Sequence, residues 1–133
     1  LYLAKQYGDG LYPADAHGEA LTWQWSVWAI AEIEPLQVAS LVQKLFVPAE
    51  KRNERLIKSS EKQLERPLAV LDKALANRSW LVGEQFSIAD LNVAAVMLLL
   101  ELIDFDYSAH ANVTDWAQRC YARPALARAR ALS

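Results

Sequence analysis

A chain of 133 residues with a formal net charge of −2 and 53% hydrophobic residues is long enough for one domain with a real core. Its weak acidity and scattered Lys and Arg speak against nucleic acid as the main partner. The single cysteine rules out an intramolecular disulfide and suits a reducing compartment. The longest apolar run, Val93 to Leu100, falls well short of the roughly 18 to 20 residues of a membrane-spanning helix.

The chain opens without Met on Leu1 to Gln6, which reads as a helix stopped by Gly8 and as a piece of a longer protein. Gly8-Asp9-Gly10-Leu11-Tyr12-Pro13 has turn chemistry, and Asp15 stands where it can cap the next helix. Glu19 to about Phe46 reads as one long helical stretch. Leu21, Trp25, Trp28 and Glu32 fall on one side of it, and Trp23, Val27, Ile30 and Glu34 on another, so two faces are apolar. Pro35 removes a backbone donor and should kink or break this stretch, and Pro48 ends it.

Ala49 to Ala76 reads as a second long helix with a charged start. Leu64, Leu68, Leu71 and Leu75 form its core stripe. Pro67 lies inside the stripe and predicts a kink, not a terminus. Asn77-Arg78-Ser79 is a turn, after which Trp80, Leu81 and Val82 tuck back towards the core.

Phe86-Ser87-Ile88-Ala89-Asp90-Leu91 is the most informative stretch. Ser87 and Asp90 form a capping box, with the Asp90 carboxylate reaching the Ser87 N–H at the positive end of the helix dipole. Phe86 and Leu91 form a hydrophobic staple around it, and Gly83 permits a turn just before. The helix that follows, to Ile103, is apolar nearly all round, which predicts a buried central helix in an all-α bundle of about five to six helices. The pair Ser87 and Asp90 thus reports fold, not catalysis.

Residues 104–110 read as a loop, Asn112 or Thr114 as the next helix start, and Pro124 to Leu132 as a last short helix. Cys120 falls in a helical pattern and reads as a buried, inert thiol. Arg119, Arg123, Arg128 and Arg130 read as cations placed on terminal helices. His17 and His110 are isolated, loop-like and without partners at ligand spacing, so no metal site is expected.

Taken in order, these segments resemble the C-terminal helical domain of cytosolic glutathione S-transferases. Tyr2-Leu3-Ala4-x-x-Tyr7-Gly8 is similar to the tail of the last helix of that family's thioredoxin-like domain, and Leu11-Tyr12-Pro13 to its interdomain linker. Leu71-Asp72-x-x-Leu75, Trp80-Leu81-Val82-Gly83 and Phe86 to Leu91 resemble the family's most recognisable segment. Trp116 and Arg123-Pro124-Ala125-Leu126 resemble its ending. Trp25 to Pro35 looks most like bacterial members and the related domain of the elongation factor 1 gamma subunit.

The resemblance implies a division of the chain into 1–10, a remnant of the thioredoxin-like domain; 11–18, the linker; and 19–133, the helical domain. It implies a cytoplasmic, homodimeric detoxification enzyme that conjugates glutathione, its co-substrate, to a hydrophobic electrophile without metal or other cofactor. Nucleic acid and membrane are not expected partners. The thiol-activating residue would sit in the thioredoxin-like domain, so none is assigned here, and Tyr7 and Tyr12, in the helix tail and linker, are not candidates. The helical domain would supply the apolar wall of the second-substrate pocket. Trp25 and Trp28, three residues apart, are the candidates, with core packing or an interface as the competing role. Trp23 is then a core or interface residue, and Ser26 and Gln24 are possible polar contacts. Some members of this fold are instead docking modules, as in elongation factor complexes or stress regulators, and that alternative stays open.

Overall fold

Pro35 does not break the first long helix. In the computed structural model, which describes residues 1–132, the chain is helical without interruption from 16 to 46. After the short α1 (Tyr2–Tyr7), α2 (Ala16–Trp28) passes into a π turn at Ala29–Ile33, and α3 (Glu34–Leu41) follows directly. At the end of the π turn the Glu34 N–H reaches the Ala29 carbonyl, five residues back. The extra residue widens the turn and relieves the clash of the Pro35 ring with the carbonyl one α-turn before it. A second π turn, Val42–Phe46, ends the run.

α2 starts at Ala16, three residues before the expected Glu19. Asp15 is its cap and accepts from the Gly18 N–H at 2.9 Å. His17 therefore lies in the first helical turn and not in a loop. The second long helix starts later than expected. Ala49–Lys51 is a single 3-10 turn, and α4 (Glu54–Leu75) begins only after Asn53, whose side chain accepts from the Leu56 N–H. The reason is a set of contacts from outside the segment. Arg52 donates to the Lys44 and Val47 carbonyls, and the Asn53 N–H donates to Gln43 Oε1 at 2.8 Å. The chain is thereby held extended until α4 starts. α4 then continues through Pro67 with Leu64, Leu68, Leu71 and Leu75 all buried.

α5 (Ile88–Leu102) is the middle of the bundle and packs against α2, α3 and α6. Gly83, at φ +67°, makes the turn that leads into it, a conformation that side-chain-bearing residues rarely adopt. The capping box forms as expected, with the Ser87 N–H donating to Asp90 Oδ2 at 2.9 Å. Val93, Ala94, Met97 and Leu100 are buried. The helix is not covered all round, however: Leu91, Ala95 and Leu102 on its outer side are exposed, because neighbours pack on the other faces alone.

α6 (Ala111–Tyr121) starts one residue before Asn112. A carboxylate from α4 caps it: Asp72 Oδ1 accepts from the Asn112 N–H at 2.9 Å and the Val113 N–H at 3.2 Å. His110 is the residue at its start, and its ring nitrogen lies 3.1 Å from Glu65 on α4. α7 (Pro124–Arg130) completes the bundle, ending short of Leu132. The described residues contain no strand.

Candidate functional site

The tryptophans of α2 separate by face. Trp25, 8% exposed, turns into the core with Ala29 and Ile33. Trp28 stands half-buried at the edge of that core, its ring edge-on to Trp25 with centroids 5.1 Å apart and planes at 83°. An edge-on pair of this kind contributes about 0.5–1.5 kcal/mol beyond the area it buries. Trp23, expected in the core or an interface, is 51% exposed, so the core does not take it. The helix turns every residue by about 100°, and inward positions 25 and 29 leave 23, 27 and 30 facing out. Val27 and Ile30 are exposed beside Trp23.

Ser26 is buried and spans α2 and α5. Its hydroxyl donates to the Thr22 carbonyl at 2.7 Å and accepts from Asn92 Nδ2 at 2.9 Å. It is committed to packing; Gln24 is exposed.

Three of the surface concavities border the elements described so far. One of about 390 Å³ lies between the linker, the first turn of α2 and the loop before α5, bordered by Pro13, Asp15, His17, Gly18, Glu84 and Gln85. One of about 410 Å³ lies where the π turn and Pro35 meet Lys62, Arg66 and Pro67 of α4. The third, about 60 Å³, is an apolar groove between α5, α6 and α7. Phe86 and Leu91, the staple residues, line it with Ala95, Leu98, Cys120 and Leu126.

Cys120 is buried, and burial, then the Asp90 charge, push its thiol up to about 12. It is neutral and inert near pH 7. Tyr12 is held above the ordinary tyrosine value by desolvation and by its hydrogen bond to Glu19, and its hydroxyl is already committed to that carboxylate. Tyr7 is exposed on α1. Among the described residues no group of three His, Cys, Asp or Glu could hold a metal ion.

Asp90 does more than its motif announces. It is 0% exposed, and Oδ1 accepts from the Leu81 N–H at 2.9 Å and from Trp116 Nε1 at 2.8 Å. The Ser87 hydroxyl also donates to Oδ2 at 2.9 Å. One carboxylate thus joins the pre-helix loop, the start of α5 and the middle of α6. Spacing reveals the Ser87 partner alone, since Leu81 and Trp116 reach Asp90 only through the fold.

The sequence profile of the family described as "Glutathione S-transferase, C-terminal domain" matches residues 37–124. The chain belongs to that family. It is 28% identical to glutathione S-transferase GstB of Escherichia coli over 126 residues, 94% of this chain and 61% of GstB. The fold matches the theta class glutathione S-transferase of Xanthomonas axonopodis pv. citri with a TM-score of 0.87 at 25% identity, over 96% of this chain and 68% of that one. It is also 29% identical to elongation factor 1-gamma of Carassius auratus over 119 residues, 87% of this chain and 26% of that protein. This glutathione S-transferase C-terminal domain therefore spans about three-fifths of the length of GstB.

Proposed function

We propose that this domain is the electrophile-holding half of a glutathione transferase, preceded in the full-length protein by a thioredoxin-like domain that binds glutathione and activates its thiol. On this reading residues 1–10 are the tail of that domain, 11–18 the linker, and the rest the helical domain. The observation that carries the reading is the likeness to the Xanthomonas enzyme in its glutathione-bound form, which extends over 96% of this chain at a TM-score of 0.86.

The chemistry divides accordingly. A free cysteine thiol titrates near 8.5, so little thiolate exists at pH 7 without a donor to stabilise it. None of the cysteine and tyrosine positions above is suited to that task, so activation is assigned to the preceding domain. This domain contributes placement, which lowers the barrier by holding the electrophile near the attacking sulfur. Trp28, braced by Trp25, is the proposed wall for a flat apolar electrophile. The exposed row Trp23, Val27 and Ile30 is assigned to the contact with a second subunit. The same reading makes the full-length protein a cytoplasmic enzyme; no described helix is long and apolar enough to cross a membrane.

The test is conjugation of glutathione to an activated aryl halide. The full-length protein should turn over and the 133-residue chain should stay at the uncatalysed background. Equal rates for both would overturn the division of labour. The likeness to elongation factor 1-gamma supports a second reading, a docking module. A full-length protein that neither binds glutathione nor turns over would move the assignment there.

A further inference from the structure

The segment that leads into the bundle converges on one side chain of α2, Glu19. α1 buries only Ala4 among its residues, while Tyr2, Leu3 and Tyr7 are exposed, so apolar packing does not hold it in place. Glu19, in the first turn of α2, accepts at one oxygen from Lys5 Nζ at 2.7 Å and from the Tyr12 hydroxyl at 2.9 Å. Lys5 also stands over the Tyr12 ring, 5.4 Å from its centre, within cation–π range. The linker between Lys5 and Tyr12 is thus closed into a loop by a three-residue knot.

Two backbone features lie beside the knot. The Leu11 carbonyl accepts from the Ile88 N–H at 2.8 Å. Ile88 is the first residue of α5, where an N–H has no partner within its own helix. Pro13 lies against α2 so closely that a Cβ on Gly18 would come within 2.6 Å of the proline Cβ. The linker therefore contacts α2 and the start of the central helix together, and Tyr12 sits between those two contacts.

We propose that Glu19 is a clasp that fastens residues 1–13 to α2 and α5, so that this segment moves as one body with the bundle and carries whatever precedes it in a set orientation. Opening the clasp frees α1 first and then the Leu11–Ile88 bond. A single exposed ion pair contributes little, but here one carboxylate serves two partners on a segment whose other contacts are the buried Ala4, the Leu11–Ile88 bond and the packing of Pro13. The effect is accordingly local and modest.

Hydrogen exchange on the 133-residue chain, read by mass spectrometry, tests this. In Glu19→Gln, the hydrogen-bonded amides of residues 5–8, of Leu11 and of Ile88 should exchange about two to five times faster than in the parent, the range an exposed pair supplies. Lys5→Met should accelerate residues 5–8 likewise, while Glu32→Gln, an exposed acid on the same helical run, should change nothing there. The charge-swapped pair Lys5→Glu with Glu19→Lys should restore protection. Unchanged exchange of residues 5–8 in both single variants would overturn the clasp. So would a charge swap that leaves exchange as fast as in Glu19→Gln, because the loss would then come from the start of α2 alone. If Glu19→Gln unfolds the chain, the Lys5→Met result decides by the same criterion.

Discussion

Carboxylates stand at several helix starts of this domain, and two of them, Asp90 and Glu19, differ most in burial. At α5 the Asp90 carboxylate is fully buried and accepts four hydrogen bonds, from Ser87 N–H, Ser87 Oγ, Leu81 N–H and Trp116 Nε1. At α2 the Glu19 side chain is 38% exposed and its carboxylate accepts from Lys5 and Tyr12. The chemistry of the acceptor is the same in both places. What differs is the alternative available to each partner when the acceptor is lost. Around Glu19, water replaces it at once; around Asp90, nothing does. Burial, more than the number of bonds, therefore separates a structural keystone from an adjustable fastening.

The largest expected effect tests the buried end. Asp90→Ala strands the Leu81 N–H and the Trp116 indole N–H in the core and removes the cap of α5. It should cost about 3–5 kcal/mol, measured by urea unfolding. A cost below that of an ordinary exposed cap would erase the contrast between the two sites. Trp116→Phe keeps most of the ring but removes one of the four donors. The carboxylate keeps the other three, so the cost should fall to about 1–2 kcal/mol by the same measurement.

Cys120 sharpens the comparison as a reporter from the buried side. Its thiol value is raised in the folded state, so it stays protonated there while an unfolded thiol ionises. That contribution to stability is whole below the usual value of 9.0 and is lost as pH rises from there towards about 12. Alkylation of Cys120 at pH 8 should therefore follow global unfolding in urea, with a midpoint coinciding with that of circular dichroism. Labelling well before that midpoint would mean that α6 and α7 open separately.

The smallest expected effect lies at the exposed end. The Lys5 hydrogen bond, then Tyr12, lower the Glu19 carboxyl below its ordinary 4.5. Its contribution is present above that value and is lost as pH falls through the folded-state value. Lys5 is raised above 10.5, chiefly by its bond to Glu19, so the same fastening weakens again as pH rises beyond that. Hydrogen exchange of α1, corrected for intrinsic rate, should be slowest between these limits and faster below pH 4, while the amides of α4 stay protected.

The elements most legible beforehand are those coded by neighbours in the chain. The capping box at Ser87 and Asp90, the Asp15 cap and the leucine stripe of α4 all stand where spacing places them. Proline at 35 announces a disturbance correctly, but its form, a π turn within an unbroken run, depends on α3 being held against α4 and α5. The candidate site was less legible. Two apolar faces on α2 mark the helix as important, yet only the packed bundle turns Trp25 inward and leaves Trp23 outside. The cap of α6 escaped pattern reading entirely, because Asp72 comes from another helix, about forty residues earlier in the chain.

Local sequence alone determined that this chain is helical, where α5 begins and which leucines enter the core. Those features rest on dihedral preference, capping within a few residues and the helical repeat. Tertiary structure decided which of two equally apolar faces is covered, gave Asp90 its distant partners and fastened the leading segment through Glu19. Each of those outcomes needs groups far apart in the chain to meet, and no repeat along the backbone encodes which of them will.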